Sequence, residues 1–385
     1  MPRVADLKTV WSNIKEFELQ PIREAALRDL RLVLVGAPGS GRHTLAGQMR
    51  RDPARPDVST QTPLSILDVE SFQDTLKTDL VILLIDVTSG DVSRQQALTG
   101  MLRDTGRKVL VLCNKMDLLD SQGVMDQWAP WGVGEILYGS VNDEKFLKEQ
   151  FVPAVLRLLP ELHLALGRQF PLFRQAIAHQ FIGETSFANA TYAFSTGLAA
   201  IVPVLDLPLN LTDMVILTKS QALLVYRLGL LVGFSLRWQD YITEFGSVIG
   251  GGFLWRQLAR QLVGLIPMLG IFPKVAIAYT GTYVVGQAVL QWYLTGRKLT
   301  RKQLNALYSH ALERGKQNAR QLLARLPRPR LGRKKRAELP PPQEIILPLE
   351  ATPSSASKSI CSRCGKFSAA DAIFCQYCGE RLDTL

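Results

Sequence analysis

Four cysteines late in the sequence have the spacing that binds zinc. They form two Cys-x-x-Cys pairs separated by ten residues: Cys361, Cys364, Cys375 and Cys378. Zn²⁺ takes four thiolate ligands in a tetrahedron, and each Cys-x-x-Cys turn presents two of them together. A glycine follows the second cysteine of each pair, where a tight turn needs a positive φ. The pattern predicts one structural zinc ion held by these four side chains.

This cysteine-rich segment, residues 359–385, resembles the short zinc ribbon found at the ends of many bacterial proteins. The resemblance implies a docking module for a protein partner whose identity stays open. Because the segment has few apolar residues, bound metal would supply most of its folding free energy. The alternative is four reduced thiols without metal, or a redox pair. The fifth cysteine, Cys113, lies in an apolar run typical of a buried strand, so a disulfide framework is not indicated.

A second pattern suited to chemistry lies near the start of the chain. An apolar run at residues 30–35 leads into a turn that contains Gly36, Gly39 and Gly41 and then into the start of a helix. Glycines let backbone amides approach phosphate oxygens, and the N-terminus of a helix adds a partial positive charge. The pattern predicts a phosphate-binding loop over residues 36–44.

The tetrapeptide at residues 114–117 is a stronger signal, because it follows an apolar strand predicted at residues 108–113. It consists of Asn114, Lys115, Met116 and Asp117. An aspartate here can accept two hydrogen bonds from the edge of a guanine ring, and adenine has no such pair of donors. Asn114 would fix the loop, and the stem of Lys115 would lie along the base plane.

With these motifs, residues 28–160 resemble the Era-like branch of the translation-factor GTPases. The resemblance implies an α/β, doubly wound P-loop domain that binds GTP or GDP. It also implies that Asn114, Lys115 and Asp117 read guanine, and that the loop at Ser140 closes over the far side of the base. The alternative is that these are leftover loop residues on an inactive domain of the same fold.

The residues that would carry catalysis depart from this family pattern. Arg42 replaces the usual lysine, and His43 replaces the serine or threonine that binds Mg²⁺. Imidazole is a poor ligand for this hard cation, and Thr44 lies one position late. Asp68 is placed to reach a magnesium-bound water, but Ser71 replaces the glycine that senses the γ-phosphate. These changes argue against a normal magnesium site and predict slow or absent hydrolysis, with no catalytic residue assigned.

The segment between Thr44 and Asp68 is also short for this family. It has 23 residues and three prolines, where the family places a helix, a switch loop and often two strands. Thr60 and Thr62 are available to close over magnesium, but the sequence assigns neither.

A chain of 385 residues exceeds one hydrophobic core, and residues 161–326 predict a separate all-α, apolar domain. The stretches 185–205, 221–236 and 275–296 are the most apolar, and the last has no charged residue. As a helix it would be about 33 Å long, enough to cross a bilayer core. The basic cluster at residues 297–302 is typical of a span that ends on the cytoplasmic side.

A bundle of helices that pack on one another is the alternative for this domain. Asp206, Asp213 and Lys274 lie close to the apolar stretches, and each would cost roughly 2.5–3.5 kcal/mol in lipid. The Pro-x-x-Asp-x-Pro pattern at 203–208, the Ser-Gln pair at 220–221 and the glycines of 264–270 resemble a bacterial domain of unknown function. That domain commonly follows such GTPase domains and is described as membrane-associated, so the resemblance implies location but no chemistry.

Three further segments have patterns of their own. Residues 1–27 predict a helical segment without a signal peptide, which favours the cytoplasm. Residues 300–326 predict a basic amphipathic helix that lies on a membrane or packs on the helical domain. Residues 327–358 predict a disordered linker rich in proline and basic residues. The net charge of +11 favours an anionic partner, with membrane lipid preferred over nucleic acid.

Three functions follow from these features. The first is a guanine-nucleotide-binding regulatory or scaffolding protein at the cytoplasmic face of a bacterial inner membrane. If it inserts into the membrane, an even number of spans is required; the alternative location is the cytoplasm. The second is an active Era-like GTPase that acts on RNA or ribosomes. The third is a structural adaptor that binds no nucleotide.

Overall fold

The computed structural model describes residues 16–72, 77–89, 91–119, 134–199, 209–238, 271–324, 358–360 and 367–369. They belong to two units, one spanning residues 23–177 and the other formed by the chain before and after it. Helix α1 (Glu16–Leu27) contains the point at which the chain enters the first unit. The first unit is α/β and the second is mainly helical.

The first unit is built on a sheet of five parallel strands. In chain order the strands of this unit are β1 (Leu32–Gly36), β2 (Arg51–Asp52), β3 (Arg55–Ser59), β4 (Ser65–Asp68), β5 (Leu80–Asp86), β6 (Val109–Asn114) and β7 (Ile136–Tyr138). The sheet has the order β4-β1-β5-β6-β7, and β2 and β3 form a separate hairpin. Strands β1, β5 and β6 are continuous apolar runs that are buried almost throughout, as the centre of a parallel sheet requires. The prediction of an α/β fold is confirmed for this unit.

This unit also has five short helices, of which the first two lie between strands and the last three follow β7. They are α2 (Arg42–Arg50), α3 (Ser93–Asp104), α4 (Glu144–Phe146), α5 (Val152–Leu158) and α6 (His163–Gln169). A π-helical turn, Leu147–Phe151, joins α4 to α5, and Pro171–Phe173 forms a single 3-10 turn after α6. Phe151 and Phe173 are fully buried and pack with their ring centroids 6.0 Å apart, which fixes the turn after α6 on this unit.

The carboxyl ends of neighbouring strands bring polar residues to one edge of the sheet. Gly36 at the end of β1 pairs in register with Asp68 at the end of β4. Asp86 at the end of β5 pairs in the same way with Asn114 at the end of β6. In doubly wound sheets, ligands bind outside this edge.

The segment between α2 and β4 contains the antiparallel hairpin β2–β3, held by a buried aspartate. Asp52 is 2% exposed and accepts hydrogen bonds from the backbone of Ala54 and from the Arg55 guanidinium. The Arg174 guanidinium lies 3.7 Å from the same carboxylate. Residues 60–64 connect the end of this hairpin to β4.

The second unit contains four long helices: α7 (Arg174–Ala199), α8 (Leu209–Leu231), α9 (Ile271–Thr295) and α10 (Arg301–Ala324). The first residues of α7 still belong to the α/β unit. Among the described residues, no helix combines the length and hydropathy that a membrane span needs, and this includes the candidate stretch at 275–296.

Helix α10 packs its apolar face against α9. Six residues along one face of α10 are buried: Leu304, Leu307, Ala311, Gly315, Ala319 and Leu322. The Thr280 hydroxyl of α9 lies 3.3 Å from the carbonyl oxygen of Ala311, and Arg314 reaches the Tyr283 hydroxyl at 3.3 Å. A Cβ on Gly315 would lie 2.5 Å from the carbonyl oxygen of Ala276, so the two backbones cross closely. Of the two positions expected for the amphipathic helix, packing on the helical domain is the one observed.

Polar side chains occupy the interior between α7, α8 and α9. The Thr282 hydroxyl accepts hydrogen bonds from the amides of Asn189, at 2.8 Å, and Gln221, at 3.4 Å. Arg227 stacks 4.0 Å above the ring of Phe181, and burial lowers the pKa of its guanidinium although Glu184 acts in the opposite direction. Buried polar groups need such partners, so these contacts fix how the helices face one another.

Two short strands follow near the end of the chain. Strands β8 (Lys358–Ile360) and β9 (Phe367–Ala369) pair antiparallel. The predicted zinc ligands Cys361, Cys364, Cys375 and Cys378 and the linker at 327–357 lie outside the described residues. Within the residues that are described, no cluster of three or more His, Cys, Asp or Glu side chains could hold a metal. The zinc site therefore stays a prediction.

Candidate functional site

The glycine-rich turn between β1 and α2 has the geometry of a phosphate-binding loop. Gly39 and Gly41 have φ values of 82° and 97°, which residues with a Cβ rarely adopt. A Cβ on Gly36 would lie 2.6 Å from the carbonyl oxygen of Leu84 on the neighbouring strand. The backbone N–H of Leu45 donates to the carbonyl of Gly41, so α2 begins directly after the turn with its N-terminal amides beside it.

Asn114 connects this loop to the loop that contains Ser140. Its amide nitrogen donates to the Ser40 carbonyl at 2.8 Å, and its amide oxygen accepts from the backbone N–H of Val141 at 2.9 Å. Asn114 is 1% exposed, and a Cβ on Gly41 would lie 2.3 Å from its amide nitrogen. One buried side chain thus holds two loops of the site at a fixed separation.

Lys115 is oriented by an aspartate on the neighbouring strand. It is the only described residue other than glycine with a positive φ, at 69°. Its ammonium lies 2.5 Å from the carboxylate of Asp86. Burial acts to raise the pKa of Asp86, but hydrogen bonds from Lys115 and Thr88 outweigh it and hold this pKa below its usual value. Asp86 therefore stays ionised beside the lysine.

Sequence reasoning did not select Asp86 as a site residue. The signal that could have found it is positional, because the residue ends a predicted strand at the edge where Asn114 also lies.

Asp117 follows in a single 3-10 turn, Met116–Leu118, and its side chain is exposed. Among the described residues no group pairs with its carboxylate, and an ionised carboxylate can accept hydrogen bonds from a ligand. Ser140 is 8% exposed, and its carbonyl accepts from the backbone N–H of Asp143 in a turn. The backbone N–H of Gly139 donates to the carbonyl of Cys113, which ties this turn to the end of β6.

Arg42, the first residue of α2, turns toward β4. Its guanidinium forms an ion pair with Asp68 at 2.6 Å and donates to the carbonyl oxygen of Leu67 at 2.5 Å. Arg42 is 8% exposed, whereas the Asp68 side chain is about half exposed. The structure thus brings together two predicted site residues that no sequence motif connects.

The residues around Arg42 do not fit a magnesium ion. His43 offers an exposed imidazole where an oxygen ligand is needed, and Thr44 is exposed one position later. Asp68 has its carboxylate paired with Arg42. The hydroxyls of Thr60 and Thr62 lie 3.3 Å and 2.5 Å from the carbonyl oxygen of Gln169, to which both donate hydrogen bonds. No group of this set offers the ordered oxygen ligands that Mg²⁺ requires.

Comparison with known proteins gives one distant relative. No protein-family model matches the chain. It is similar to the GTPase Der of Stenotrophomonas maltophilia (strain K279a), at 26% identity over 113 residues. This similarity covers 29% of the chain and 24% of that protein, so the chain spans about a quarter of its relative's length. Together with the parallel sheet and the glycine-rich loop, it indicates a P-loop GTPase-like domain.

Proposed function

We propose that the GTPase-like domain, residues 28–160, binds GTP and GDP through their guanine base and hydrolyses GTP slowly or not at all. The observation that carries this proposal is the position of Asn114, which links the glycine-rich loop to the Ser140 loop. The exposed carboxylate of Asp117 follows three residues later, where a base would be read.

Guanine recognition is favoured by the hydrogen-bonding chemistry of Asp117. An ionised carboxylate only accepts hydrogen bonds, and guanine offers two adjacent donors at one edge of the ring. Lys115, held by Asp86, adds an aliphatic stem against which the base plane can lie. Adenine presents an acceptor at the matching ring position and would leave the carboxylate unpaired.

Slow hydrolysis is expected because several groups that phosphoryl transfer needs are engaged in other contacts. Its transition state is stabilised by a metal, a positioned nucleophile and cationic donors acting together. Here Asp68 is paired with Arg42, and Thr60 and Thr62 are bonded to Gln169. Loss of several of these elements lowers the rate more than it lowers affinity, since loop and base contacts are retained.

For the rest of the chain we propose a regulatory or scaffolding role at the cytoplasmic face of the inner membrane. The basic residues of 297–302 and 325–336 are suited to anionic lipid, and a zinc ribbon would recruit a protein partner. Fractionation of a cell lysate at low salt, without a carbonate wash, tests the location, because alkaline carbonate would release a protein held only by basic residues. Recovery of the whole protein in the soluble fraction would contradict membrane association.

A nucleotide-free adaptor is the second candidate, and the Arg42–Asp68 ion pair favours it. In this pair, a carboxylate of the chain itself already neutralises the positive charge of Arg42 in the phosphate loop. A site that never binds phosphate would be stable in this arrangement.

Isothermal titration calorimetry separates the two candidates. The full chain is titrated with GDP, GTP and ADP, alongside Asp117→Ala and the matched control Asp104→Ala. Asp104 lies at the last position of α3, and its exposed carboxylate pairs only with the adjacent Arg103 among the described residues. We expect GDP and GTP to bind, ADP not to bind, and only Asp117→Ala to lose affinity. Equal affinity in both variants would contradict guanine recognition.

A further inference from the structure

We infer that this site binds its nucleotide without magnesium, with Arg42 supplying the positive charge that a metal would otherwise supply. The inference rests on the proposed binding of guanine nucleotide and concerns how the same site neutralises the phosphates.

Arg42 is built into the loop as a fixed cation. It begins α2 beside the turn at Gly41, and 8% of its surface is exposed. Because β1 and β4 end side by side, with Gly36 and Asp68 in register, Asp68 lies next to the phosphate loop and can hold the guanidinium. A charge fixed in this way needs no reorganisation when a phosphate arrives.

The two contacts of Arg42 leave part of its guanidinium available. One terminal nitrogen donates to the Leu67 carbonyl and the other pairs with Asp68. A guanidinium has five N–H donors, so the Nε–H and one N–H on each terminal nitrogen remain. Planar donor pairs of this kind bind phosphate oxygens in a bidentate manner, which a lysine ammonium cannot do. Asp68 therefore acts as a positioning residue for Arg42.

The same contacts work against a metal ion. Mg²⁺ coordinated near Asp68 would lie beside the Arg42 guanidinium, where two cations repel, and would compete for the same carboxylate. His43 cannot replace the missing hydroxyl ligand, since imidazole suits softer metals.

The segment that could bring a further oxygen ligand is fixed elsewhere. The Thr62 hydroxyl donates to the Gln169 carbonyl, and the Thr62 carbonyl accepts from the Arg50 guanidinium at 2.9 Å. The backbone N–H of Thr60 donates to the carbonyl of Arg50. Together with the contacts of Asp52 in the hairpin, these hydrogen bonds hold Thr60 and Thr62 on groups of this unit.

The test compares GDP binding by the full chain in excess MgCl₂ and in magnesium-free buffer, with calorimetry as readout; no chelator is added, because it would also remove the predicted zinc ion. We expect affinities that agree within about twofold, because no metal contributes to binding. Arg42→Ala should weaken binding on the order of 10- to 100-fold in both buffers, the loss expected for charge-assisted hydrogen bonds. Arg42→Lys keeps the positive charge but lacks the planar donor pairs of the guanidinium, so it should recover only part of that affinity.

Asp68→Asn distinguishes a residue that positions Arg42 from a residue that binds magnesium. As a positioning residue, Asp68 should change affinity by the same factor in both buffers, whereas a magnesium-bound carboxylate would matter only in MgCl₂. A tenfold or greater loss of wild-type affinity in magnesium-free buffer would overturn the inference and leave guanine binding intact. Absence of GDP binding in both buffers would overturn the proposed function together with the inference. Circular dichroism confirms that each variant is folded.

Discussion

Among single residues, the glycines of the loop between β1 and α2 differ in what an added side chain would meet. Gly41 combines a left-handed backbone with close approach to Asn114. Gly39 has a similar φ but has no neighbour within 4 Å of an added Cβ. Gly47, inside α2, has open space around it and no positive φ. These three glycines separate backbone strain from steric contact.

We predict a graded series for alanine at these positions. Gly41→Ala should destabilise the α/β unit by about 2–4 kcal/mol, because strain adds to the clash with Asn114. Gly39→Ala should cost about 1–2 kcal/mol from strain alone, and Gly47→Ala should stabilise α2 by about 0.5–1 kcal/mol. Hydrogen exchange of peptides from β1, β5 and β6 measures the effect on this unit. Equal effects of Gly41→Ala and Gly39→Ala would contradict the close contact with Asn114.

The Asp86–Lys115 ion pair makes the stability of the α/β unit depend on pH. Since the pKa of Asp86 is lowered in the folded chain, its stabilisation is complete above the unfolded pKa of about 3.9. It disappears as pH falls through the lower folded value. Asp86→Asn should therefore be less stable than wild type by about 1 kcal/mol at neutral pH, and this difference should close below about pH 4.

Hydrogen exchange at neutral and acid pH measures this difference, with Asp104→Asn as a control at an exposed carboxylate. A difference between wild type and Asp86→Asn that persists unchanged in acid would show that the ion pair is not its source.

At the scale of elements, the sequence predicted those features of the site that are local. The strand, glycine turn and helix of residues 32–50 are contiguous, and so are β6 and the tetrapeptide that follows it. The pairing of Arg42 with Asp68 and the bonds from Thr60 and Thr62 to Gln169 join residues far apart in the chain. No local pattern encodes such contacts, because they depend on where the hairpin and α6 pack.

The crossing of α9 and α10 gives a test for the helical unit. Gly315→Ala should destabilise that unit by about 1–3 kcal/mol, because the new Cβ would lie 2.5 Å from a backbone oxygen that cannot move aside. Gly183→Ala in α7 is the matched control, since nothing lies within 4 Å of its added Cβ, and it should be neutral or slightly stabilising. Thermal unfolding followed by circular dichroism compares the two, and equal melting temperatures would contradict the close crossing.

The whole molecule combines a P-loop GTPase-like domain, a helical unit and a predicted zinc ribbon. Metal analysis of the full chain should find one zinc ion per chain, and Cys361→Ser should remove it. Cys113→Ser is the control, because Cys113 is buried in β6 and burial raises the pKa of its thiol to about 12. Full zinc occupancy in Cys361→Ser would contradict the predicted ligand set.

We propose that Asp117 reads guanine, and exchanging the hydrogen-bond donors and acceptors at that position tests this directly. Asparagine keeps the size of Asp117 but replaces one accepting oxygen with a donating amide. Guanine would lose a hydrogen bond to it, whereas xanthine, which carries a carbonyl in place of the guanine amino group, would gain one. We predict that wild type prefers GDP to XDP and that Asp117→Asn reverses this order in calorimetric titrations. An unchanged preference for GDP in Asp117→Asn would contradict the account.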